Sequence, residues 1–439
     1  MTQYLSSYVA AYGTTIVGYL REPGLAVSWE RALASWFSFI ADYGWRVVVF
    51  TILLRLALFP LDFYQRYATR KNQKITERIQ PDLEKLKKIY PDKQVYYGKQ
   101  RQLQKREGMK PFASCLPAIV TMLVFISLWQ GMINISQYMS MRTYLTLYEH
   151  YQVVQTESFD RLYIGGSGDG EMDLYNARIA SSAEARDSVR IMYQTQERRG
   201  FLWVRNIWAP DVPWESPVRN RDAFIGSVNR YYRGSNDDLN DAQIRRRFDV
   251  EAFFYNRGQT IADNGRLTDA QVDEFNQWLH GVMGRYDAVM GDLINDEGNS
   301  RNGLLIFVIL AVGLNFLTQF LTTRQQKKAG MGGMMGGMPG MGGMPGMDGN
   351  PAAGMMGGGM MKMMMFMMPL MMGMFAISTA TAFTIYMVVN AGMTALVILS
   401  MSGIFLLMDK NREKKVETKV TKYGRPDPNS PDKGKDKKK

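Results

Sequence analysis

WRVVVFTILLRLALFPLDFY, residues 45–64, decides how the rest of the chain is read. It is close to the roughly 20 mainly apolar residues that a helix needs to cross a bilayer. Trp45 and Tyr64 stand at its ends, where amphipathic rings favour the interface. Arg55 lies near its middle, roughly 14–15 Å from either end at helical rise. A guanidinium at that depth costs about 2.5–3.5 kcal/mol and persists only facing a protein interior or a wet cavity. No Asp or Glu lies deep in any other span, so Arg55 is expected to lack a counter-ion and to sit in a hydrated pocket of net positive charge.

Outward from this stretch, the chain alternates apolar and strongly charged blocks. Its 439 residues are 46% hydrophobic and 21% charged, and the blockwise contrast argues against a single soluble globule. Four further apolar segments follow: 112–135, 302–323, 363–381 and 383–408. The fold class is therefore an all-α polytopic membrane protein with a five-helix transmembrane core. The last two spans form one block with a turn of small residues near Ser378–Ala382.

Charge places the connections. The net charge is +12, yet 137–300 holds 18 Arg, 25 acidic residues and no Lys. Residues 66–110 hold 14 basic and 5 acidic side chains, and 409–439 hold 12 and 6. Basic loops stay in the cytoplasm. This places 65–110, 324–362 and 409–439 inside, with 1–44 and the insert 136–300 outside. In 65–110, Ile75, Ile79, Leu83 and Leu86 recur at helical spacing, Pro81 is expected to break the run, and Pro91-Asp92 turns the chain into a second helix. The result is a cytoplasmic helical hairpin. In 27–43, Trp29, Leu33, Trp36, Phe37, Phe39 and Ile40 form one broad face, as in an interfacial amphipathic helix. Residues 330–360, rich in Gly, Met and Pro, bury too little to fold and read either as a flexible linker or as soft Met side chains that touch apolar segments transiently.

Few residue types are available for chemistry. Cys115 is the one cysteine, and His150 and His280 are the only histidines, so neither a disulfide nor a Cys/His metal site is expected. No phosphate-binding or dinucleotide fingerprint occurs and no nucleophile–base pair is visible. The chain is thus read as a non-enzyme without cofactor. The candidate site is a set of intramembrane polar groups. Thr51 shares a helix face with Arg55, and Gln130, Asn315, Asn390 and Tyr386 come from the other spans. Each alone is ordinary helix–helix glue; together they line one polar groove.

These segments carry a resemblance to a known family. Thr51-x-x-x-Arg55 with FPLDFYQR (59–66) resembles the first core helix of the YidC/Oxa/Alb membrane protein insertases. QPDLEKLKKIYPDKQ (80–94) is similar to that family's cytoplasmic hairpin, and GMKPFASCLPAIVTM (108–122) to the lead-in to its next helix. FLWVRNIWAPD (201–211) resembles its external segment, and MKMMMFMMPLMMGMF (361–375) with TIYMVVN (384–390) its last two helices. The resemblance implies a bacterial inner-membrane protein whose hydrophilic groove opens to cytoplasm and lipid and is closed outside. Arg55 falls on the groove arginine, Thr51 and Tyr386 on groups that touch the client. Client helices are implied to slide along 112–135 and 363–381. The implied activity is insertion and chaperoning of nascent membrane proteins, alone or with the Sec translocon.

The chain departs from the family pattern in three places. About 90 residues separate FLWVRNIWAPD from the next span, where the family has almost none; much of this reads as polar helix over 216–235, 239–256 and 268–295. Both a folded cap and a partner surface fit that insert. Lys110 stands where the family has asparagine, and the loop after 302–323 is expanded. The basic tail fits either anionic lipid or ribosomal RNA; DNA is not an expected partner. Two other function classes remain open: a small-solute or anion transporter using Arg55, though without a visible repeat, and a receptor whose insert is the working part.

Overall fold

A computed structural model describes residues 16–21, 37, 39–90, 92–109, 112–164, 170–197, 199–232, 239–328, 367 and 369–422. Helix α1, Tyr43–Ile89, starts where the Asp42 side chain accepts the Gly44 N–H. Its 47 residues span about 70 Å at helical rise, more than twice the hydrocarbon thickness of about 30 Å. It therefore leaves the apolar layer as a long charged arm. Pro81 does not break this arm, contrary to expectation, and α1 also contains Pro60. Ile75, Ile79 and Leu83 are buried against Leu86, Leu103 and Met109, so the apolar seam continues through the proline and holds the helix together. The Asp92 side chain caps α2, Lys93–Arg106, which folds back on α1.

Helix α3, Phe112–Ile164, is likewise longer than a span. Its far half pairs with antiparallel α4, Gly170–Met192, whose buried face is Ala177, Ser181, Ala185 and Val189. This pair adds helix over 136–164 and 170–192, where the sequence reading places none. A π-helical turn follows at Tyr193–Glu197. Then come α5 (Arg221–Tyr232), α6 (Asp241–Arg247), α7 (Val250–Tyr255), α8 (Asp269–Gly284) and α9 (Tyr286–Gly298). The helices read at 239–256 and 268–295 are each interrupted, at Phe248-Asp249 and at Arg285. The insert has its own aromatic core: Phe224 stacks on Tyr286 at 4.3 Å, and Phe275 meets Phe248 and Phe253 at 4.8 and 4.9 Å. It is a folded body.

Residues 16–21 belong to that body. Tyr19 and Leu20 are buried in its core, and the Arg21 N–H donates to the Arg247 carbonyl at 3.1 Å. Most of the interfacial helix expected at 27–43, residues 27–36 and 38, lies outside the described residues, as do the Gly/Met tract and residues 423–439.

Helix α10, Ile306–Lys328, leads to α11, Pro369–Ser378, and, across a break at Thr379-Ala380, to α12, Thr381–Lys422. Four described helices are long and apolar enough to cross a membrane: stretches of α1, α3, α10 and α12. The segment 363–381 shows ten helical residues as α11, and 363–366 and 368 lie outside the described set. The architecture is that of an all-α, multi-pass membrane protein. A second apolar core joins α1, α3, α10, α11 and α12 at the end of the bundle that faces the insert.

Candidate functional site

The stretch FLWVRNIWAPD becomes a plug across that end of the bundle. Phe201, Val204, Ile207 and Trp208 are buried in the bundle core. The Trp208 ring lies 4.6 Å from Tyr43, and Trp203 lies 4.2 Å from Phe307. Backbone groups finish the seal: the Ala209 carbonyl accepts from the Thr381 N–H and hydroxyl, and the Ile207 carbonyl from the Ala382 N–H. The Ser136 hydroxyl donates to the Trp208 carbonyl at 2.9 Å. Asp211 ends the plug by accepting the N–H groups of Leu304 and Phe307 at 2.9 and 2.8 Å, capping the start of α10. Burial pushes the Asp211 carboxyl above its ordinary range, against the pull of the N–H groups around it, those of Phe307 and Leu304 foremost. Two glycines allow the close approach. A Cβ on Gly44 would lie 2.2 Å from the Phe201 ring, and one on Gly303 would lie 1.9 Å from Asp211 Oδ1.

Burial becomes one-sided away from the plug. Along α12, residues 381–387 are all buried, whereas over 388–404 the buried residues are Ala391, Ala395, Ile398 and Met401, on one face. On α1, Thr51 is fully buried, whereas Leu53, Leu56 and Phe59 are exposed. Arg55 sits at this transition. Its Nε donates to Asn390 Oδ1 at 2.5 Å, and its Nη1 pairs with Asp62 Oδ2 at 3.1 Å. The Asp62 contact corrects the expectation that Arg55 lacks a counter-ion. The acid lies in the same span as the arginine, seven residues on and so on the same helix face, where i and i+7 are two turns apart. That i, i+7 spacing is the signal the sequence carries for the pair, within one span rather than between spans.

The other site residues divide into two groups. Thr51 and Tyr386 lie one turn before Arg55 and Asn390 on α1 and α12, and both are in packed core. The Thr51 hydroxyl donates to the Val47 carbonyl, and the Tyr386 ring stacks on Phe383 at 5.6 Å. Neither lines open space in this conformation. Gln130 is exposed and bonds Asn134 on its own helix; Asn315 bonds the Ala311 carbonyl on its own. No hydrogen bond joins either to Arg55 among the described residues. The structure thus joins Arg55, Asn390 and Asp62 by hydrogen bonds and gives Gln130 and Asn315 partners on their own helices.

Residues 35–225 match the family model described as 60Kd inner membrane protein, a range holding Thr51, Arg55, Asp62 and most of the plug-bearing insert but not α10–α12. Curated relatives named membrane protein insertase YidC, from Xanthomonas campestris pv. campestris and Xanthomonas oryzae pv. oryzae, are 37% identical over 93 residues. That stretch is 21% of this chain and 16% of theirs. Membrane protein insertase YidC 1 of Streptococcus agalactiae is 29% identical over 133 residues, 28% of this chain and 47% of that protein. The chain thus covers well under two thirds of the length of these relatives. No solved structure matches.

Proposed function

We propose, from the likeness of residues 35–225 to the 60Kd inner membrane protein family and of shorter stretches to proteins named membrane protein insertase YidC, that this chain is a member of that family and an insertase for nascent membrane proteins. The observation that carries this reading is the asymmetry around Arg55. One side of the guanidinium is closed by the plug 201–211, and the other side opens along partly exposed faces of α1 and α12. A polar client segment entering from the open side meets Arg55 halfway through the membrane, and the plug prevents a through-pore. The barrier it faces is shorter than a bilayer, and burial of the client's apolar segment in lipid, at about 25 cal/mol per Å², drives the step. No nucleotide is required.

In the proposed orientation the hairpin α1–α2 and the basic end of α12 face the cytoplasm and the insert faces out. This follows the confinement of lysine to 71–110, 327–362 and the residues after 409. Chaperoning, cooperation with the Sec translocon, and contact of the tail with ribosomes or anionic lipid belong to the same proposal. The anion-transporter reading loses support from the Arg55–Asp62 pair, since a resident carboxylate competes with a free anion.

The test is reconstitution of the full chain in vesicles with single-span clients. Arg55→Ala is expected to lower insertion at least tenfold. Photo-crosslinking to stalled nascent chains is expected from the exposed Gln130 position and weaker from the buried Thr51. Full insertion by Arg55→Ala together with absent crosslinks at Gln130 would refute the groove.

A further inference from the structure

The Arg55–Asp62 pair is unusual in its setting. Both side chains are mostly withdrawn from solvent, 15% and 11% exposed. Asp62 holds the Nη1 edge of the guanidinium and Asn390, a neutral amide, holds the Nε edge. Four residues beyond Asp62, on the same face, stands Arg66, whose charge is felt by both Asp62 and Arg55. One carboxylate is therefore bracketed by two guanidiniums about one and two turns away along α1.

This arrangement has a physical consequence. Separating a buried ion pair is normally prohibitive, because each ion is left without compensation. Here neither would be. If an incoming carboxylate takes the Nη1 edge of Arg55, Asp62 turns one helical turn toward Arg66 and stays paired. Asn390 meanwhile keeps the Arg55 plane aimed at the same place. A client tail with no acid has nothing to offer Arg55 in place of Asp62.

We propose that Asp62 is a resident stand-in for a client carboxylate and sets client specificity. It occupies Arg55 in the empty groove and yields to segments that carry Asp or Glu. The inference rests on the insertase reading, but it is a statement about binding and is measured separately from insertion.

The experiment uses the full chain in nanodiscs and two labelled synthetic single-span peptides. One carries two Asp in its N-terminal tail, and the other has Asn at the same positions. Asp62→Asn is expected to tighten binding of the acidic peptide about tenfold, or 1.4 kcal/mol, with the Asn peptide changed less than twofold. Asp62→Glu, which keeps the carboxylate, is expected to retain wild-type selectivity. Adding Arg55→Ala to Asp62→Asn is expected to abolish the gain. If Asp62→Asn weakens both peptides alike, or leaves both unchanged, Asp62 only neutralises a buried charge and the proposal is overturned. A selectivity shift in binding without insertion of either peptide by the wild type would uphold the inference and sink the insertase reading. Insertion without the shift would do the reverse.

Discussion

Asp211→Ala tests whether the plug is held by its last residue. The Asp211 side chain is fully buried and its two oxygens accept two separate N–H groups at the start of α10. Alanine leaves both donors without a partner. A buried donor left unpaired costs about 1–3 kcal/mol, and loss of an N-terminal cap costs a similar amount. The Phe307 N–H is buried and falls toward the upper end, whereas Leu304 lies in a more exposed turn and falls toward the lower. The expected loss is about 2–4 kcal/mol. Asp211→Asn keeps one acceptor oxygen and should lose about half of that. The assay is reversible unfolding in mixed micelles, followed by helix content, with all three proteins at one micelle composition. A loss below about 0.5 kcal/mol in the alanine variant, within the scatter of ordinary surface substitutions, would refute the capping role. So would equal losses in the alanine and asparagine variants.

Other predictions follow from the same geometry. Gly44→Ala places a methyl group 2.2 Å from the Phe201 ring and should destabilise by about 1–3 kcal/mol through overpacking; Phe201→Leu in the same chain should recover part of the loss in the same unfolding assay. Because the Asp211 carboxyl is raised in the fold, the folded state binds its proton more tightly than the unfolded chain. Stability from this group is therefore present below about pH 3.9 and falls as pH rises through the raised value, and the pH–stability slope in that window should flatten in Asp211→Asn. Deleting 410–439 should weaken ribosome co-sedimentation at physiological salt and leave membrane integration of the chain intact; unchanged co-sedimentation would remove RNA docking in favour of lipid.

By itself the sequence determined the class of protein and the place of its key cation. Apolar run length fixes what crosses a bilayer, lysine segregation suggests which loops face which way, and an arginine at mid-span marks a site whatever surrounds it. These are one-dimensional properties, set by the solvent rather than by other parts of the chain. What Arg55 pairs with was decided by tertiary structure, though half of it was written in the spacing. Asp62 follows from helical period along α1, while Asn390 comes from a helix 335 residues away in sequence. The burial of Thr51 and Tyr386, and the conversion of FLWVRNIWAPD into a seal, were likewise invisible to periodicity. Each depends on which helices pack at which depth, and a packed interior is specified by shape between distant segments, which no local pattern encodes.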